Sequence, residues 1–111
     1  MLIALGDIFV QIPRREEVRA LMREMQAQVR EQLGCEYFSF AETLEDPGHF
    51  VVVQRWRDRG TFDEHYRSDA FERYQSLIGP YLVRSSELRV HEVLASSQLV
   101  DSSPLDLAQD E

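Results

Sequence analysis

Two segments of this chain carry apolar side chains at successive positions, so a strand built from either is apolar on both faces. The first, residues 2–12, puts Leu2, Ala4, Ile8, Val10 and Ile12 on one side and Ile3, Leu5 and Phe9 on the other, beside Asp7 and Gln11. The second runs Phe50-Val51-Val52-Val53-Gln54-Arg55-Trp56-Arg57. Strands of this kind need cover on both sides. Yet 111 residues suffice for one domain with one modest core. A single sheet with helices on one side would leave its other apolar face in water. The patterning therefore predicts a homodimer in which two sheets pack together.

Pro13 closes the first segment and suits the first turn of a helix. Residues 14–33 then place Val18, Leu21, Met22, Met25 and Val29 on one helical stripe. Glu16 and Glu17 lie in the first turn, and Gly34 is a stop. Arg15, Arg19 and Arg23 form a row on this helix that reads as a solvated face. Residues 35–44 make a second strand. Asp46-Pro47-Gly48-His49 has Pro and Gly at the centre of a type II turn, which joins the second and third strands as a hairpin with His49 at the surface. Helix resumes near Thr61, with Glu64 as its capping-box partner, and breaks near Ser68, where Asp69 and Glu72 offer a second box. Phe71, Tyr74 and Ile78 continue the stripe to Gly79-Pro80. Residues 87–95 form the last strand. The order β-α-β-β-α-β predicts an α+β, ferredoxin-like domain over residues 1–95, with a four-stranded antiparallel sheet. Residues 96–111 follow as an acidic tail.

Twenty acidic side chains against twelve basic ones give a net charge of −8, which disfavours nucleic acid and anionic membranes as partners. Half of that excess lies in the tail, at Asp101, Asp106, Asp110 and Glu111, so the domain itself is only mildly acidic. The tail's Leu99, Val100, Leu105 and Leu107 are expected to pack on the partner protomer. Every base is Arg, which excludes chemistry built on a lysine. The single cysteine, Cys35, forms no internal disulfide, and no basic stretch precedes the apolar N-terminus, so a cytoplasmic location is expected. No apolar run reaches membrane-spanning length. No His pair has metal-ligand spacing, so no metal is expected, and no Gly-rich phosphate loop or GxSxG elbow occurs.

Several segments together resemble the antibiotic biosynthesis monooxygenase family, also called the quinol-monooxygenase-like proteins. They are Pro13-Arg14-Arg15-Glu16-Glu17-Val18, Gly34-Cys35 and the stretch Leu44 to Val53. The closest match is Gln54-Arg55-Trp56 followed by Phe62-Asp63-Glu64-His65-Tyr66-Arg67-Ser68-Asp69-Ala70-Phe71. The shared pattern is an acid or amide two residues before a Trp and a His nine residues after it, met here by Gln54, Trp56 and His65. The resemblance covers about residues 2–95 and implies a dimeric α/β barrel. It also implies an oxidation that needs no metal, flavin or other cofactor. An electron-rich phenol or hydroquinone gives up a proton, passes an electron to O2 and leaves as a quinone. The pocket would lie within each protomer, between helices and sheet. The family also includes haem-degrading enzymes and an isomerase. The haem branch's axial His falls at Gln75, its Trp at His65 and its Asn near Asp7, three departures that argue against haem.

His65 is the candidate proton acceptor, because imidazole titrates near neutrality. Trp56 reads as a stacking wall of the pocket or as a core residue with a satisfied N–H. Gln54 shares a strand face with Trp56 and either orients a substrate oxygen or pairs across strands. Asp7 interrupts an apolar strand, as a second catalytic base or as the partner of an arginine. Tyr37, Tyr66 and Tyr74 are candidate donors to a bound anion and Phe71 a candidate lining residue, while each also suits the margin of a core. The leading expectation is an enzyme that oxidises a small aromatic phenol or hydroquinone with O2. The alternatives are a non-catalytic dimeric small-molecule binding protein and an isomerase-type member of the same family.

Overall fold

The computed structural model describes residues 1–100 and 102–104. The elements are β1 (Leu2–Phe9), α1 (Arg15–Val29), β2 (Cys35–Glu42), β3 (His49–Trp56), α2 (Arg59–Tyr66), α3 (Asp69–Ile78) and β4 (Glu87–Glu92). The sheet order is β2-β3-β1-β4 with every neighbouring pair antiparallel. This is the ferredoxin-like α+β arrangement, with its second helix divided into α2 and α3. Among the described residues no helix is long and apolar enough to cross a membrane.

Strand alternation sorts the side chains by face. Leu2, Ala4 and Ile8 of β1 and Phe50, Val52, Gln54 and Trp56 of β3 are buried. Val18, Met22, Met25 and Val29 of α1 join them in one core. The odd-numbered positions of both strands turn to the opposite face, which no described element covers. Leu5 and Val53 are direct partners on the two central strands, yet they remain 40% and 37% exposed.

Several boundaries differ from expectation for local reasons. β1 ends at Phe9, and Val10 makes only an isolated bridge to Leu82. Ile12, Pro13 and Arg14 form a 3-10 turn that leaves Ile12 exposed, since Pro has no N–H for a ladder. α2 opens at Arg59 because Asp58, rather than Thr61, is its cap: Asp58 Oδ1 accepts from the Thr61 N–H at 2.8 Å. α3 is capped by Ser68, whose Oγ accepts from the Phe71 N–H at 3.2 Å. β4 ends at Glu92 rather than at residue 95. The row of arginines on α1 is partly engaged rather than solvated throughout. Arg19 Nη2 lies 2.6 Å from Glu42 Oε1, and that hydrogen bond holds the Glu42 carboxyl below its usual range.

The expected type II turn forms, with Gly48 at φ 81° and the His49 N–H donating to the Asp46 carbonyl at 3.0 Å. α1 stops at Val29, and a turn through residues 30–34 ends at Gly34, whose φ is 82°. A Cβ at Gly34 would lie 2.5 Å from the Thr61 side chain. Gly34 is thus required twice, for its conformation and for the close seating of the turn on α2. In the tail, Leu99 and Val100 are exposed, while Leu105 and Leu107 lie outside the described residues.

Candidate functional site

A cavity of about 380 Å³ opens between the helix-side face of the sheet and α3. Ile8, Val52, Gln54 and Leu88 form its floor, and Phe71, Tyr74, Gln75 and Ile78 of α3 form its roof. Phe38 and Phe40 of β2 close one side, His65 and Tyr66 mark the end of α2, and Ser85, Ser86 and Glu87 supply a polar edge. Gly6 leaves room in the floor. A Cβ there would meet Val52 Cγ1 at 2.8 Å and Leu88 Cδ1 at 3.0 Å.

His65 is 2% exposed and packed among rings. It stacks on Trp56 with centroids 4.9 Å apart and planes at 22°, and meets Phe71 edge-on at 5.3 Å and Phe38 at 5.7 Å. Burial lowers its pKa from 6.5 to about 4, so the ring is neutral at neutral pH. Nδ1 lies 2.9 Å from Gln32 Oε1, which leaves Nε2 as the ring nitrogen without a partner among the described residues.

Trp56 fixes the orientation of Gln54. Its indole N–H only donates, and it donates to Gln54 Oε1 at 2.9 Å. The Gln54 amide therefore keeps its NH2 for the cavity that it lines. Tyr74 contributes a phenol that burial pushes well above its ordinary pKa, so it stays protonated. Its hydroxyl is buried and has no partner among the described residues. The cavity thus combines apolar and aromatic walls, a neutral imidazole and an amide donor. That set suits a flat ring bearing a hydroxyl.

The model of the antibiotic biosynthesis monooxygenase family matches residues 1–77 of this sequence. The chain belongs to that family. Rv0793 of Mycobacterium tuberculosis, whose name assigns it a monooxygenase activity only provisionally, is 33% identical over 70 residues, 63% of this chain and 68% of that protein. The solved structure of Rv0793 superposes with a TM-score of 0.79 at 26% identity, covering 87% of this chain and 98% of that one. A Deinococcus radiodurans structure named for the same family reaches a TM-score of 0.85 at 19% identity, covering 90% and 99%, and shares the fold.

Within this family member, the structure gathers Gln54, His65, Tyr66, Phe71 and Tyr74 around the cavity. Trp56 is fully buried and does not line it. The indole backs His65 and orients Gln54, so it acts on the site from behind. Asp7 and Tyr37 are not brought to the cavity. Asp7 lies on the open sheet face, where its Oδ1 is 2.8 Å from His49 Nε2 and its Oδ2 is 3.6 Å from Arg89 Nη2. Tyr37 is half exposed in β2. His49 is a correction: it is half-buried, held by Asp7 and stacked on Phe9 at 4.3 Å, because the last residue of the turn is also the first of β3.

Sequence reasoning missed Gln32, Gly6 and the Ser85–Glu87 edge. Gln32 touches His65 from 33 positions away, in the turn after α1, and no periodicity marks such a contact. Among the described residues no three His, Cys, Asp or Glu side chains come together as metal ligands.

Proposed function

We propose that this chain is a cofactor-independent monooxygenase that converts a small aromatic phenol or hydroquinone to a quinone with O2. The observation that carries the reading is a neutral, buried His65 on an aromatic-walled cavity beside an amide donor. A phenol hydroxyl would donate to His65 Nε2 and accept from the Gln54 NH2. Full proton transfer in the resting complex is uphill. A phenol near pKa 10 facing an imidazole near 4 is mismatched by about 8 kcal/mol. Attraction between the resulting ions at about 3 Å returns about 5 kcal/mol at an effective dielectric of about 20. The remainder is met when proton and electron leave together, because a phenol that has lost an electron is a far stronger acid.

The balance follows without an added reductant. The phenol proton passes to Nε2 and one electron to O2. The phenoxyl radical and superoxide join at a ring carbon, and His65 returns its proton to the distal oxygen. Loss of the C–H proton from that carbon, with cleavage of the O–O bond, releases water and leaves the quinone. One phenol and one O2 become one quinone and one water. A hydroquinone instead gives two electrons and two protons to O2, yielding quinone and hydrogen peroxide.

The uncovered face of the sheet supports a homodimer closed through Leu5 and Val53, with one cavity in each chain. The test of function is oxygen consumption and peroxide yield with a panel of hydroquinones and fused-ring phenols. Turnover that falls by about a hundredfold or more in His65→Phe supports the role of the imidazole. No turnover across the panel, or equal turnover by the variant, overturns it.

A further inference from the structure

We infer that Gln32 and Ser68 are positioning residues that hold His65 as its Nδ1–H tautomer, leaving Nε2 bare toward the cavity. The direction of each hydrogen bond follows from two backbone groups that have no choice of role. The Phe71 N–H can only donate, and it donates to Ser68 Oγ at 3.2 Å. The His65 carbonyl can only accept, and it takes the Ser68 hydroxyl proton at 2.7 Å. A hydroxyl has one proton, so toward Gln32, 3.4 Å away, Ser68 Oγ can only accept. Gln32 therefore turns its NH2 to Ser68 and its Oε1 to His65 Nδ1. An amide oxygen cannot donate, so Nδ1 carries the proton. Flipping the Gln32 amide would set its oxygen against Ser68 Oγ with no hydrogen between them.

The turn after α1, the break between α2 and α3 and the cap of α3 are thus linked to the protonation of one ring nitrogen. Gln32 suits this place because it accepts without charge. The rings packed on His65 from β2, β3, α2 and α3, those of Phe38, Trp56, Phe62 and Phe71, are also uncharged. A carboxylate at position 32 would orient the imidazole equally well while favouring its protonation. The relevance of the tautomer to turnover rests on the proposed role of His65, whereas the tautomer itself does not.

The test is long-range 1H–15N correlation on histidine-labelled protein without substrate. His65 is assigned by comparison with His49→Gln and His91→Gln variants. The wild type is expected to show a protonated Nδ1 and a bare Nε2 at pH 7. Gln32→Met is expected to release the ring into a mixture in which the Nε2–H form is populated. Gln32→Glu is expected to keep the Nδ1–H form and raise the His65 titration midpoint by about one unit or more. An Nε2–H tautomer in the wild type overturns the inference, as does an unchanged tautomer in Gln32→Met. If Gln32→Met does not fold, Gln32→Glu decides, and an unmoved midpoint there overturns it. Loss of oxygen consumption in His65→Phe with no tautomer change in Gln32→Met would sink this inference alone. A tautomer that responds as expected in a protein that oxidises nothing would sink only the proposed function.

Discussion

Acid stability gives a direct measure of how strongly burial disfavours a proton on His65. Its pKa is about 4 in the folded chain against 6.5 as the ordinary value. Between those values the unfolded chain binds a proton that the folded chain refuses. Stability therefore rises with pH through this window and is lost as pH falls. The linkage amounts to about 2 kcal/mol lost between pH 8 and pH 5, and about 3 kcal/mol by pH 4. With a urea m-value of about 1.5 kcal/mol/M, the unfolding midpoint drops by about 1.3 M at pH 5. Carboxylates interfere mainly further down. Arg19 holds Glu42 low and the Thr61 N–H holds Asp58 low, so their contributions are lost below the ordinary carboxylate range. The single tryptophan, Trp56, is buried against His65 and reports the transition by fluorescence. Urea titrations at pH 8 and pH 5, at one protein concentration, would compare the wild type with His65→Phe. The variant's midpoint is expected to move by less than about 0.3 M between the two pH values. Equal acid losses in both proteins would refute the assignment of the effect to His65.

Gly34→Ala is expected to cost about 2 kcal/mol or more, since it combines a positive φ with a Cβ 2.5 Å from Thr61, and an unchanged urea midpoint would contradict this. Tyr74→Phe removes a buried hydroxyl without a partner among the described residues, so the ligand-free protein should gain about 1 kcal/mol in thermal unfolding. A loss of stability there would mean that the hydroxyl has a partner after all. Leu5→Arg places a charge at the centre of the uncovered sheet face. In sedimentation a wild-type dimer should become a monomer, and a dimer that survives the change would exclude this face as the contact.

The parts of the fold that alternate or repeat were legible in the sequence. Runs rich in apolar and β-branched residues mark β1 and β3, the stripe from Val18 to Val29 marks α1, and Pro47-Gly48 marks the hairpin. Sequence pattern and structure differ where a single polar group decides. Asp58 took the cap expected of Thr61 because its carboxylate reaches the Thr61 N–H. At the site, the spacing of Gln54, Trp56 and His65 picked out three residues that do come together, but not their division of labour. Of the two readings of Trp56, stacking wall or core residue with a satisfied N–H, the structure shows the second, since a strand face specifies which way a side chain points and not which helix residue lands above it. Asp7 is a lone acid in an apolar strand. It sits on the opposite face from Gly6 and Ile8, and parity alone could have excluded it from the cavity. Gln32 left no trace in the pattern, because its position depends on how the turn at Gly34 seats against Thr61.

The missing side chain at Gly6 bears on how this scaffold could be redirected by selection. Substitution at that position would be resisted by Val52 and Leu88, which stand within 3.0 Å of any added Cβ. The depth of the cavity is therefore adjustable from its neighbours: Val52 and Leu88 in the floor, Gln75 and Ile78 in the roof. None of these four takes part in the hydrogen bonds that orient Gln54 and His65. A library confined to them would vary the size of the accepted ring while leaving the proton-handling groups in place.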